Sequence, residues 1–179
     1  MNSYYDIFHL RDIGWIGVVA TDSGLTRSVL PMENFDAVLK SLQPQVLNAE
    51  YAPGFCSGLV SRLENYFAGT SFNLDDKIDL RGAPLFFRTV WEKCRTIPLG
   101  ETRSYSWLAE QSRNVKAVRA VGQAMARNPL PIIVPCHRVI GKNGSLTGFA
   151  GTIPLKQKIL DLEQQISSGR QNAYLIQGT

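Results

Sequence analysis

Residues 128–141 read Asn128-Pro-Leu-Pro-Ile-Ile-Val-Pro-Cys-His-Arg-Val-Ile-Gly141, the most chemically specific stretch of the 179-residue chain. Cys136, His137 and Arg138 stand side by side in an apolar, proline-rich run. Neighbouring positive charge favours the thiolate form of Cys136, whereas burial in such a run opposes it. An activated nucleophile and a buried structural cysteine therefore both fit the residues. Metal binding fits them worse, because adjacent Cys and His side chains do not converge easily on one ion and no second Cys/His pair stands at ligand spacing. His9, the only other histidine, falls in a strand-like run and is given no role.

Adjacency also constrains mechanism. In extended chain the side chains of Cys136 and His137 point to opposite faces, so a proton passing between them needs a bridging water. His137 in turn needs an orienting carboxylate, the logic of nucleophile, base and orienter. The helix expected over Leu155–Gln165 offers Asp161 and Glu163, and spacing alone leaves both open.

Upstream, the pattern predicts a short helix from about Ser104 that includes Tyr105, Trp107 and Leu108. A polar break at Ser112-Arg113-Asn114 follows, and then a second helix from about Lys116 to Arg127. Two consecutive helices with a short turn suit a helix-turn-helix, although any helix pair offers that signal. The second helix is lean, with Ala117, Ala120, Gly122, Ala124 and Ala126. Small residues allow tight packing on the protein's own core or close approach to a DNA groove. Charge favours DNA: residues 95–142 hold eight Lys/Arg against two Asp/Glu.

Farther out, Phe87, Val90, Trp91 and Cys94 mark one face of a helix that stops before Pro98, with Cys94 on its apolar stripe. Aromatic and β-branched runs at Tyr4–Leu10, Gly14–Thr21 and Leu25–Leu30 predict a small antiparallel sheet, with a turn at Asp22-Ser23-Gly24. Phe35, Val38, Leu39 and Leu42 recur at helical spacing, and Leu59, Leu63, Tyr66 and Phe67 suggest a second helix ending near Gly69. Phe72, Leu74, Ile78 and Leu80 return to strand-like spacing. These readings give an α/β unit over 1–80, a linker over 81–85 and a mainly helical unit over 86–179.

The two units differ in sign. Residues 1–85 carry six Lys/Arg against ten Asp/Glu, a balance of −4, whereas residues 86–179 carry thirteen against five, a balance of +8, within a total of +4. Such asymmetry points to a polyanionic partner for the second unit. At 44% hydrophobic and 19% charged, the chain has material for a packed core, which argues against disorder. No stretch approaches the roughly 18 apolar residues of a spanning helix, and no basic-then-apolar leader opens the chain. Cys56, Cys94 and Cys136 fit no disulfide framework, so a cytoplasmic protein, associated with the nucleoid through DNA, is expected.

Pro135-Cys-His-Arg-Val-Ile140, preceded by Arg119-Ala-Val-Gly122 and Asn128-Pro129 and followed by Gly148-Phe-Ala-Gly151, resembles the active-site signature of the O6-alkylguanine-DNA alkyltransferases, the methylated-DNA–protein-cysteine methyltransferases. The resemblance runs from residue 84 to about 165. It implies a ribonuclease H-like first domain and a winged-helix-like second domain with a helix-turn-helix. It also implies single-turnover DNA repair, in which a flipped O6-alkylguanine, with O4-alkylthymine as a further substrate class, surrenders its alkyl group to cysteine.

Residue by residue, the resemblance makes Cys136 the acceptor, His137 the water-linked base and Glu163 the carboxylate that completes the relay. Tyr105 becomes the residue that helps rotate the nucleotide and serves the departing purine, Arg119 the finger that fills the vacated stack, and Asn128 the hinge between recognition helix and active-site loop. Lys116, Ala117 and Arg127 join Tyr105 and Arg119 at the DNA, while Tyr105, Met125, Val139, Phe149 and Ala150 line the substrate pocket. Arg138 is read as structural. The implied partner is double-stranded DNA containing alkylated guanine, met by a monomer without membrane, metal or cofactor.

Two departures stand out. Thr152 replaces the second glycine usual after Gly151, which is expected to stiffen the loop over the pocket, and the first unit lacks a Cys/His cluster like the structural zinc site of some relatives. A helix-turn-helix DNA-binding protein without chemistry, whether damage sensor or regulator, is the alternative reading, and retention of Cys136 argues against it. A cysteine hydrolase is a third, without an identifiable oxyanion site.

Overall fold

The computed structural model describes residues 2–71, 73–147, 149 and 151–169. It divides into two compact units, the boundary falling between Asp79 and Leu80.

The first unit opens with the strands β1 (Ser3–Leu10), β2 (Gly14–Thr21) and β3 (Gly24–Ser28), paired antiparallel in sequence order. Helix α1 (Phe35–Leu42) follows, capped by Asn34, whose side chain accepts the Ala37 amide. Its apolar face buries Val38 and Leu42 with Ile7, Val19, Val29 and Val46. The approach of α1 to the sheet is close enough that a Cβ on Gly17 would lie 2.4 Å from Val38, so only glycine fits that position of β2.

The sheet is mixed rather than antiparallel. A two-residue strand, β4 (Glu50–Tyr51), adds to the free edge of β1 in parallel, giving the order β3-β2-β1-β4. So short a strand leaves no periodicity in sequence. Helix α2 (Ser57–Phe67) buries Leu59, Leu63, Tyr66 and Phe67. The expected strand around Leu74–Leu80 is absent: Ile78 forms only an isolated bridge with Leu25, closed by two backbone hydrogen bonds, the Leu25 N–H donating to the Lys77 carbonyl (2.8 Å) and the Asp79 N–H to the Leu25 carbonyl (2.7 Å). Asn73, Asp75 and Asp76, poor strand formers, interrupt any longer ladder; Phe72 lies outside the described residues.

The second unit is built on α3 (Leu85–Arg95), α4 (Tyr105–Gln111), α5 (Val118–Ala126) and α6 (Ile153–Ser167). Val90, Trp91 and Cys94 of α3 are buried, and the Trp91 indole donates to the Ala124 carbonyl at 2.8 Å, fixing α3 against α5. Ser104 caps α4, its Oγ accepting the Trp107 amide at 3.1 Å. Thr152 caps α6, its Oγ1 accepting the Leu155 amide at 3.3 Å. The expected start of the fifth helix is also corrected, since Lys116 and Ala117 lie in the turn before α5, whose backbone closes from the Ala117 amide to the Asn114 carbonyl at 2.9 Å.

A second sheet consists of β5 (Arg103–Ser104) and β6 (Val139–Ile140), paired in parallel. It is only two residues deep, yet it sets the start of α4 beside the segment that follows Cys136. Among the described residues no helix is long and apolar enough to cross a membrane.

Candidate active site

The decisive stretch curls rather than extends. Past α5, Asn128 is buried and grips the loop at two points, its Nδ2 donating to the Val134 carbonyl at 2.9 Å and its Oδ1 accepting the Leu130 amide at 3.0 Å. The Val134 amide closes the turn onto Leu130 at 2.7 Å, with Ile132 at φ 75°, a left-handed conformation that costs a β-branched residue energy. Leu130, Ile132, Ile133 and Val134 are all buried, and their packing holds that conformation.

Cys136, His137 and Arg138 then form a single 3-10 turn. The extended-chain geometry expected of Cys136 and His137 is therefore replaced by a turn, in which successive side chains are separated by about a third of a revolution. His137 is fully buried and its Nε2 meets Glu163 Oε1 at 2.9 Å. A carboxylate only accepts, so the proton is assigned to Nε2 and the lone pair to Nδ1. Nδ1 is buried with no hydrogen-bond partner among the described residues, the state of a nitrogen available as a base. Burial pulls the imidazole below its usual range, outweighing the opposing hydrogen bond and charge of Glu163, so the ring is neutral at neutral pH.

Of the two acidic candidates on α6, Glu163 is inside and Asp161 is outside. Asp161 accepts the exposed Gln157 amide at 2.7 Å. Glu163 is fully buried and takes Arg138 on both oxygens, each at 2.8 Å. The Gly100 amide adds a longer contact at 3.4 Å; Gly100 sits at φ 74°, and a Cβ there would strike Ser167 of α6 at 2.4 Å. Burial pushes the Glu163 carboxyl up, but the bonds and charges of His137 and Arg138 overcome it and hold the group well below the usual carboxylate range. Arg138 also donates to the Ile97 carbonyl at 2.7 Å.

Cys136 is fully buried, and burial raises its thiol above the usual range. Opposing that rise are the Asn128 side chain, the charge of Lys156 and the amides of Cys136 and His137. Lys156 is the residue that sequence reasoning missed. It is fully buried on α6, with Nζ donating to the Val139 carbonyl at 2.6 Å and to the Thr147 carbonyl at 3.0 Å. The available signal was its register, since positions 156, 159 and 163 share one helical face with buried Ile159 and Glu163.

Thr147 also accepts the Tyr105 hydroxyl at 2.6 Å, so α4 and α6 meet at one carbonyl. Tyr105 is half-buried, Met125 and Val139 are fully buried, and the half-buried Phe149 ring has the Lys156 ammonium 5.9 Å from its centre. Ala150 and Gly148 lie outside the described residues. Cys136, His137, Asn128, Val139, Lys156 and Glu163 are thereby brought together.

Lys116, Arg119 and Arg127 are not in this cluster. They are exposed on α5 and the turns at its two ends, where Val118, Gln123 and Ala126 are exposed too and Gly122 has open space beyond it. Arg127 is also spread over the Phe87 ring at 5.8 Å. The helix thus uses its small residues both ways, burying Ala124 on α3 and presenting a thin basic face outward. No Asp or Glu occurs between residues 111 and 160, so nothing acidic in that stretch offsets this face. Among the described residues no group of three or more His, Cys, Asp or Glu side chains could hold a metal ion.

Residues 85–165 match the family model described as "6-O-methylguanine DNA methyltransferase, DNA binding domain". A methylated-DNA–protein-cysteine methyltransferase of Mycobacterium bovis is 51% identical over 112 residues, covering 63% of this chain and 67% of that protein. One from Mycolicibacterium paratuberculosis is 42% identical over 155 residues, covering 87% of this chain and 89% of the relative. The fold, α/β with a small mixed sheet, is similar to that of Mycobacterium tuberculosis OGT solved in complex with DNA, with a TM-score of 0.78 and 39% identity over 91% of this chain and 94% of that one.

Proposed function

The chain belongs to the methylated-DNA–protein-cysteine methyltransferase family, and from that membership we propose that Cys136 is the residue that takes the alkyl group. The protein is a DNA-repair methyltransferase, its partner is DNA, and its reaction transfers an alkyl group from DNA to a cysteine of its own. The observation that carries the assignment of the residue is the buried chain of contacts behind it: Cys136 adjoins His137, whose Nε2 is fixed to Glu163 and whose Nδ1 is left with a lone pair.

The reaction is a displacement at carbon. The bond from Cys136 sulfur to the alkyl carbon forms as the bond from that carbon to guanine O6 breaks. The thiol proton passes through water to His137 Nδ1, and Glu163 steadies the imidazolium that results. The departing guanine carries the displaced electron pair and is neutralised by a proton or hydrogen bond from the Tyr105 hydroxyl. Arg138 keeps Glu163 ionised before His137 is charged, which fits a structural role for that arginine. Because a thioether does not revert under these conditions, each chain acts once.

The target oxygen is out of reach inside a duplex, so the nucleotide is flipped at a cost of a few kcal/mol. Arg119, exposed at the start of α5, suits insertion into the vacated stack, and Lys116 and Arg127 suit the flanking phosphates. Asn128 links α5 to the loop that leads to Cys136. Met125, Val139, Phe149 and Ala150, with Tyr105, form the alkyl pocket in this reading, and O4-alkylthymine is a second substrate. We read α4 and α5 as a helix-turn-helix entering the minor groove within a winged-helix-like domain, and the first unit as a ribonuclease H-like stabilising domain. The protein works as a cytoplasmic monomer.

The test is a titration of a duplex containing O6-methylguanine with increasing protein. Repair that stops at one lesion per chain, and is lost in Cys136→Ala, is the expected result. Continued turnover, or binding without any loss of the lesion, overturns the proposal.

A further inference from the structure

Helix α4 is closed by a residue ill suited to the task. Its cap, Ser112, is followed by Arg113 at φ 59°, with the Arg113 N–H donating to the Glu110 carbonyl at 2.9 Å and the Asn114 N–H to the Ala109 carbonyl at 3.0 Å. That pair of bonds needs a left-handed backbone after the cap, which glycine adopts freely. Helix α2 closes by the same pair, from Gly69 to Tyr66 at 3.1 Å and from Thr70 to Asn65 at 2.9 Å, with Gly69 at φ 73°. Gly169, at φ 69°, holds the same place after α6. An arginine there crowds its Cβ against its own carbonyl, a strain that the two glycines avoid.

Among the described residues nothing offsets that strain. Ile132, another bulky residue with such a backbone, is buried and held by its packing, whereas Arg113 is exposed. The Arg113 guanidinium has no hydrogen bond, ion pair or ring contact among the described residues. What lies near it in the chain is like charge. Arg113 opens the link from α4 to α5, Lys116 is three residues on and Arg119 three more, all three exposed, and no acidic residue occurs between 111 and 160. The link is short and closed on itself by the Ala117 N–H on the Asn114 carbonyl at 2.9 Å, which keeps its head close to the start of α5. Like charges grouped in this way repel one another until a polyanion covers them.

We propose that Arg113 is a further DNA contact, an arginine that binds a backbone phosphate and is carried in the turn before α5 at a cost in stability. The proposal rests on the reading of Lys116 and Arg119 as DNA contacts, and extends that face back across the link to the end of α4. A guanidinium offers a phosphate two parallel N–H donors, and such a contact fixes the protein on the duplex without reading bases. The strained backbone is then explained by the bound state, where the side chain gains the partner it lacks in the free protein.

Binding of a short unmodified duplex, followed by fluorescence anisotropy through a salt series, tests this without the transfer step. Arg113→Gly removes the charge and the strain together; Arg113→Lys keeps both. We expect the Gly variant to bind about two- to fivefold more weakly at low salt, with the slope of log affinity against log salt reduced by about one. The same variant is expected to melt about 2 °C higher, because glycine relieves the left-handed backbone. The Lys variant is expected to keep the wild-type slope, as is Lys40→Ala at an exposed position of α1. A wild-type slope in the Gly variant would overturn the proposal, as would a Lys variant with the slope of Gly, a Gly variant that melts below wild type, or an equal loss of slope in Lys40→Ala. Lys116→Ala, measured alongside, separates the two readings. A slope lost at Arg113 and kept at Lys116 removes Lys116 from the DNA and leaves Arg113 there, whereas the reverse removes Arg113 alone.

Discussion

Glu163 and His137 meet at 2.9 Å with both side chains fully buried, and the same carboxylate accepts Arg138 on each of its oxygens. The substitution Glu163→Gln removes the charge and puts an NH2 group where an acceptor stood. Breaking a buried pair from one side typically costs about 3–5 kcal/mol, because the remaining charge has no counter-ion. Glu163→Gln is therefore expected to lower the melting temperature sharply as well as the transfer rate. Asp161→Asn, two residues away on the exposed side, is expected to change stability by no more than about 0.5 kcal/mol. Comparable melting of the two variants contradicts the placement of Glu163.

The buried groups fix how stability follows pH. Glu163 and His137 are both held below their usual values of 4.5 and 6.5, so the unfolded chain binds protons that the folded one refuses. Stability from these groups is complete above those values and is lost as pH falls, first through the histidine window and then through the carboxylate window. Cys56, Cys94 and Cys136 are all raised above 9.0, so alkali favours the unfolded thiolates and stability falls again above that pH. Melting temperatures measured from acid to alkaline pH should form a plateau with two flanks. A maximum at acid pH contradicts the burial of His137.

Arg119 and Lys116 separate two kinds of DNA contact. If Arg119 fills the gap left by the flipped nucleotide, Arg119→Ala loses about ten- to a hundredfold on duplex DNA and little on a free alkylated base. Lys116→Ala instead reduces the slope of log affinity against log salt by about one, the mark of a lost phosphate contact. Equal losses of Arg119→Ala on both substrates remove the finger role.

The alkyl group itself is expected to strain the site. Cys136, Val139 and Met125 are fully buried, so a carbon added to the sulfur has to be housed in the interior. Overfilling such a site costs about 1–3 kcal/mol. The alkylated protein should melt below the unmodified one, as a differential scan of both forms would record. Melting at or above the starting temperature contradicts a tight pocket.

Sequence carried the chemistry further than the geometry. Pro135–Ile140 is legible because its residue types are rare together, and α1, α2 and α3 because their apolar residues repeat at helical spacing. The two-residue strands β4, β5 and β6 left no such pattern, and their pairings join residues far apart in the chain. The choice between Asp161 and Glu163 depends on which face of α6 packs inward, which spacing alone did not decide. Lys156 was hidden by its type, since a lysine in a helix reads as solvated until its environment is seen. The turn at Cys136–Arg138 was concealed by flanking prolines and β-branched residues that suggest extended chain.

The central claim is that one sulfur, that of Cys136, ends the reaction holding the alkyl group. The direct measurement uses duplex DNA carrying O6-methylguanine with an isotopically labelled methyl group, followed by digestion of the protein and mass analysis of its cysteine peptides. The account predicts one label per chain, all of it in the peptide containing Cys136. Label on Cys94 or Cys56, or label released to solution with the protein unchanged, would contradict it.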